Sequence, residues 1–139
     1  MLHLSKLCVG IASVEQLQSW QTRRAASHPP LRHNTRHAPR RVAEIVGGGS
    51  IYWVIGGVML VRQRIVAIQP DTWDDGTACA ALLLLPDLVP VEARAVRAFQ
   101  GWRYMAAADA PPDVDAGDGS VEHGLPDRLR ADLRRLALL

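Results

Sequence analysis

Arginines and aromatics spaced around Gly56-Gly57 are the residues of this chain best suited to chemistry. Ile51 to Ile55 and Val58 to Ile68 are β-branched and aromatic runs separated by two glycines, which is the pattern of a hairpin closed by a two-residue turn. Counted outward from that turn, Trp53 stands opposite Leu60 and Ile51 opposite Arg62, all on one face with Arg64. Two guanidiniums beside an indole can hold phosphate by charge and a base by stacking, which is how single-stranded nucleic acid is gripped. Tyr52 is a second stacking candidate. The same residues also fit a plainer arrangement, with both arginines at the rim of a packed sheet, making salt bridges or lying on Trp53.

A second group precedes the hairpin. Arg23, Arg24, Arg32, Arg36, Arg40 and Arg41 follow one another with no acid between Glu15 and Glu44. Arg40 and Arg41 sit at the start of an expected helix, where anions are favoured; a solvated arginine surface is the competing reading. A third group is Gln100, Trp102, Arg103 and Tyr104. Alternation puts Gln100, Trp102 and Tyr104 on one face and Arg103 on the other, with Trp102 and Tyr104 reading as core. Gln63 shares its expected face with Met59, Val61 and Ile65, so its amide either satisfies backbone groups or lines a pocket with Gln100 and Arg103.

Other patterns fail on chemistry. His28, His33 and His37 have no Cys, Asp or Glu among them and are flanked by prolines, so they read as loop histidines and no metal site is expected. Asp113, Asp115 and Asp118 echo a calcium loop, but its sixth position is aspartate rather than glycine and its twelfth is Gly124. Gly47-Gly48-Gly49-Ser50 lacks the ending of a phosphate loop and the pattern of a hydrolase elbow. Cys8 and Cys79 lie far apart and read as two buried, reduced thiols. No cofactor is implied. No nucleophile, base and orienting residue assemble from the sequence, which leans against an enzyme.

The elements that must carry these residues follow from pattern. The 139 residues are 48% hydrophobic and 22% charged, a composition that folds. Leu2 to Val9 reads as a strand. Ser13 caps a helix running to about Ala26, with Gln16 completing a capping box. His28-Pro29-Pro30 ends it. Leu31 to Arg36 reads as a second strand, and Pro39 opens a short helix through Val46, stopped by Gly47. Beyond the hairpin, Asp74-Asp75-Gly76 marks a turn, Ala78 to Leu85 a buried strand, and Val91 to Met105 an extended stretch. Residues 1–112 are expected to be a single α+β domain, 113–125 an acidic flexible linker, and 126–139 an amphipathic helix with Leu129, Leu133 and Leu136 on one stripe.

Charge is unevenly placed. Residues 1–70 carry a balance of +7 and residues 71–139 one of −5, and all but one of the basic residues is arginine, whose planar fork suits phosphate and carboxylate. Lys6 interrupts the first apolar run before it reaches the length of a signal-peptide core. The uncharged stretch from Ile45 to Val61 holds five glycines and falls short of the roughly 20 residues of a membrane span. A cytoplasmic protein with no membrane partner is the expectation.

Longer segments carry a family likeness. Leu4 to Gly10, Pro39-Arg40-Arg41, Gly48-Gly49-Ser50-Ile51-Tyr52-Trp53-Val54-Ile55, Gly57-Val58, Val61-Arg62-Gln63-Arg64-Ile65 and Phe99-Gln100-Gly101-Trp102-Arg103-Tyr104 together resemble the bacterial family called domain of unknown function 1489. The resemblance covers most of the chain up to about Pro112. It implies no activity, cofactor or partner. The family's hairpin turn carries a lysine before its glycine, whereas Gly56 stands here.

The fold expected is a mainly antiparallel, twisted sheet or partly closed barrel around the central hairpin, with two helices near the amino terminus and one at the carboxy terminus. The function expected is a non-catalytic RNA- or nucleotide-binding module. It would use Arg40, Arg41, Arg62 and Arg64 for phosphate and Tyr52 or Trp53 for stacking. RNA or another polyanion is the expected partner. The alternatives are a protein-interaction or scaffold domain binding another chain, and a small enzyme.

Overall fold

The computed structural model describes residues 1–114. Seven strands and two helices follow in the order β1 (Leu2–Leu7), α1 (Val14–Ser27), β2 (Arg32–Thr35), α2 (Val42–Val46), β3 (Ser50–Ile55), β4 (Val58–Thr72), β5 (Ala78–Leu84), β6 (Val89–Ala95) and β7 (Trp102–Ala106). The strands form one mixed sheet in the order β2-β5-β4-β3-β1-β7, with β6 pairing β4 off that path. β1 runs parallel to β3 and antiparallel to β7. The central strand β3 is buried along its whole length, as an apolar run covered on both faces must be.

Local chemistry explains the elements. The Ser13 Oγ accepts from Gln16 N at 3.1 Å, and Gln16 Oε1 reaches back to the amide of Ala12 at 2.7 Å, so the start of α1 is capped from both sides. His28 ends the helix just before Pro29. Gly56 and Gly57 take φ of 59° and 81°, the double left-handed turn that two-residue hairpins require. Gly49 joins α2 to β3 at a place with no room for a side chain, since a Cβ there would lie 2.0 Å from the Leu2 carbonyl oxygen.

Apolar packing lies on both sides of the sheet. One cluster gathers Leu4, Leu17, Ile45, Ile51, Trp53, Leu60, Ile65 and Leu82 with their neighbours, and α1 joins it through Leu17. The other holds Tyr52, Val54, Met59 and Val91.

The expected α+β fold, a mainly antiparallel sheet or partly closed barrel with three helices, is corrected on three points. Strands dominate, the sheet is mixed and open, and α2 is little more than one turn, leaving a single substantial helix. Pro39 does not open α2; Arg41 precedes its first residue, and Pro39 is buried in the preceding loop. Val91 to Met105 is not one extended run, because residues 96–101 break it and Gly101 turns with φ of 70°. The expected carboxy-terminal helix, with Leu129, Leu133 and Leu136, and most of the acidic linker lie outside the described residues.

The hairpin register also differs from a plain count. Ile55 pairs Val58 and Val54 pairs Met59, but Trp53 pairs Val61, so Leu60 is an extra residue in β4. Such a bulge exchanges the faces of everything beyond it. Tyr52 therefore stands opposite Arg62 and Ile51 opposite Gln63.

The sheet's path ends at β2 and β7, yet side chains link these distant parts. Trp102 Nε1 donates to the His37 carbonyl at 2.8 Å, and the amides of Arg40 and Arg41 donate to the Tyr104 hydroxyl at 2.8 and 3.3 Å. The segment after β2 is thereby tied to β7 without a backbone ladder.

Candidate functional site

Three of the four arginines nominated for phosphate have other employment. Arg62 donates Nε and Nη2 to the two carboxylate oxygens of Asp113 at 2.6 and 2.8 Å, and Nη1 to Ser50 Oγ at 3.1 Å. That bond holds the Asp113 carboxyl below its usual range. Asp113 also bridges Val91, and Val114 N donates to the Pro90 carbonyl, so the first described residues of the expected linker are fastened along β6. Arg64 donates to the carbonyls of Gly49, Val46 and Ile65, closing the end of α2. Arg41 holds Glu44 in a two-point ion pair and lies over the Tyr104 ring. Arg40 is exposed.

The aromatic partners are equally occupied. Tyr52 is buried, with its ring edge-on to His3 at 5.0 Å. His3 Nδ1 accepts from the Ser50 amide at 3.0 Å, and burial followed by the Arg62 charge lowers its pKa. Trp53 is buried as well, and its Nε1 donates to Gln63 Oε1 at 3.0 Å. Gln63 exchanges two hydrogen bonds with Gln21, at 2.9 and 2.8 Å, and donates to the Leu85 carbonyl at 2.7 Å. Every hydrogen-bonding position of the Gln63 amide is thus used inside the protein. Arg103 lies over Phe99 at 4.5 Å. Of the three residues nominated for a pocket, Gln100 lines an open cleft whose lining does not include Gln63 or Arg103.

That pocket is an open cleft of about 430 Å³. Its residues come from four parts of the chain. β1 contributes Lys6 beside Trp53 of β3 and Trp102 of β7 in the pairing register. β2 and the loop after it contribute His33, Asn34, Arg36 and His37. The β4–β5 hairpin contributes Trp73, whose backbone is held by bonds from Trp73 N to the Thr77 carbonyl and from Gly76 N to the Trp73 carbonyl. The loop before β7 contributes Gln100.

The electrostatics of the cleft are one-sided. Among the described residues, no carboxylate lines it. Lys6 is partly buried, and among the described residues nothing forms an ion pair or hydrogen bond with its ammonium. His33 sits edge-on to Trp53 at 5.1 Å, and its Nε2 is buried without a partner among the described residues. Burial first, and the Lys6 charge second, push its pKa down to about 4, so it is neutral at pH 7. Arg36 is exposed at the lip.

A family model for proteins of unknown function, DUF1489, matches residues 4–139. The chain belongs to the DUF1489 family. No curated protein and no solved structure matches it. Among the described residues of this DUF1489 chain, no three His, Cys, Asp or Glu side chains gather as a metal site would need, and no helix is long and apolar enough to cross a membrane. Cys79 is buried, and burial pushes the Cys8 thiol up to about 11.

Sequence reasoning missed Lys6, His33, Arg36 and Trp73 as one group. Lys6 was the available signal, as a lysine next to the end of a strand that continues the alternation of the core residues Leu2 and Leu4.

Proposed function

We propose that this DUF1489 protein is a non-catalytic module that binds phosphate-bearing ligands of the nucleotide or RNA kind, and that the cleft between β1, β2 and β7 is its site. One observation carries the reading: among the described residues, Lys6 is a partly buried cation without a counter-charge, in a cleft to which they bring no carboxylate. An ammonium partly withdrawn from water gains from a counter-charge, and an entering anion supplies one. Arg36 at the lip adds a second cation that no group among the described residues engages. Tryptophan faces and amide donors beside such charges are the usual furniture of ligand sites.

The hairpin arginines are not part of this reading, since Arg62 and Arg64 already serve Asp113 and the α2 carbonyls. The test is equilibrium binding of short single-stranded RNA across a salt series by wild type, Lys6→Met and Arg36→Gln, each checked for folding by circular dichroism. Wild-type binding should weaken with salt. Each variant should bind less tightly and lose about 0.7 from the logarithmic salt slope, the share of one phosphate contact on a single strand. An absence of wild-type binding at low salt, or variants that bind as wild type does, would refute the proposal.

A further inference from the structure

The geometry points to a ligand more specific than a generic polyanion: we infer that the cleft takes one nucleotide unit, its phosphate at Lys6 and Arg36 and its base against the indole of Trp73. This rests on the phosphate-binding reading above and adds the base. Trp73 is 40% exposed at the tip of the β4–β5 hairpin while lining the same cavity as the two cations. A tryptophan left that open offers a flat apolar face, and base stacking on such a face is tolerant of sequence. Trp102 forms another wall, but its Nε1 is committed to the His37 carbonyl and its ring meets Tyr104 edge-on at 4.9 Å, which fixes the indole in place. Gln100 has no hydrogen bond among the described residues and brings both a donor and an acceptor to the cleft, the pair a base edge needs. A cleft of about 430 Å³ matches the size of one such unit.

Trp73 also makes the test clean. Its loop is held by backbone bonds and by Asp75 Oδ1, which accepts from Thr77 N at 2.9 Å, so removing the indole leaves the turn intact. Calorimetric titrations of wild type, Trp73→Ala and Arg36→Gln would use adenosine 5′-monophosphate, ribose 5-phosphate, inorganic phosphate and a 5′-phosphorylated RNA trinucleotide. Wild type should bind the nucleotide about tenfold or more tighter than ribose 5-phosphate. Trp73→Ala should erase that difference while leaving inorganic phosphate unchanged, and Arg36→Gln should weaken all four. Equal affinity for the nucleotide and ribose 5-phosphate, or a Trp73→Ala variant that keeps the preference, overturns the stacking inference and leaves phosphate recognition standing. Failure of every phosphate compound to bind overturns both. With the preference present, a trinucleotide that binds no tighter than the mononucleotide assigns the site to free nucleotides. Tighter trinucleotide binding assigns it to a strand terminus.

Discussion

Replacing Gln63 by methionine keeps the approximate volume of the side chain and removes all its hydrogen-bonding atoms. Gln63 is fully buried and Gln21 is 3% exposed, so water does not readily take their place. Both amide atoms of Gln21 and the Nε1 of Trp53 lose their partners. The Leu85 carbonyl loses its bond too, but Leu85 is 43% exposed and water can reach that end. Three orphaned groups at roughly 1–3 kcal/mol each, with some repacking around the thioether, put the expected loss at about 4 kcal/mol. That is a large part of the ~5–15 kcal/mol by which a domain is stable. Gln21→Met is milder, about 1–2 kcal/mol, because Gln63 keeps Trp53 and Leu85. The double variant should be more stable than Gln63→Met alone, since it removes the stranded Gln21 amide along with its former partner. Chemical denaturation of the three variants measures the cycle. Strict additivity, or a Gln63→Met loss below about 1 kcal/mol, would show that the amide pair is not the buried tie described here.

Four further outcomes are expected. His33 has a folded pKa of about 4 against an ordinary 6.5, so the unfolded chain takes up the proton first. Stability should be full above pH 6.5 and fall by up to about 3 kcal/mol as pH drops toward 4; His33→Phe should flatten that slope, and an unchanged slope would count against the assignment. Asp113→Asn should cost about 1 kcal/mol at neutral pH and low salt, because its side chain is 44% exposed and screened. Since Arg62 lowers the Asp113 pKa, that difference should vanish as acid protonates the wild-type carboxylate. Gly49→Ala should abolish soluble expression, given the Leu2 oxygen 2.0 Å and the Ile45 oxygen 2.5 Å from the added carbon. Gly76→Ala, with open space around it and only φ of +86° to strain, should lose about 1 kcal/mol in a thermal melt.

Much of the local structure was legible because local chemistry determines it. Ser13 and Gln16 announce α1, and two adjacent glycines announce the hairpin turn, within the segments themselves. The register was not legible. Met59, Leu60 and Val61 are all apolar, and nothing in their pattern marks Leu60 as the extra residue, so one bulge moved Arg62 onto the face of Tyr52 and Gln63 onto that of Trp53. The fate of the arginines was hidden for a related reason. Which guanidinium finds a carboxylate, as Arg62 finds Asp113 across 51 positions, depends on tertiary contact. The cleft was illegible as a unit because Lys6, His33, Trp73 and Gln100 come from separate strands and loops that only the mixed sheet brings together.

The place of β1 has a consequence for how the chain is made. It lies between β3, with which it runs parallel, and β7, which ends only at Ala106. A ribosome adding ~5–20 residues per second needs roughly 5–20 s to cover the distance of about a hundred residues that separates β1 from β7. Throughout that interval Leu2 and Leu4 have no completed sheet to enter, although β3 and β4 can already have paired locally into their hairpin. The β1 edge that meets β7 therefore stays unpaired while the intervening residues are made, and there the nascent chain is open to wrong pairing.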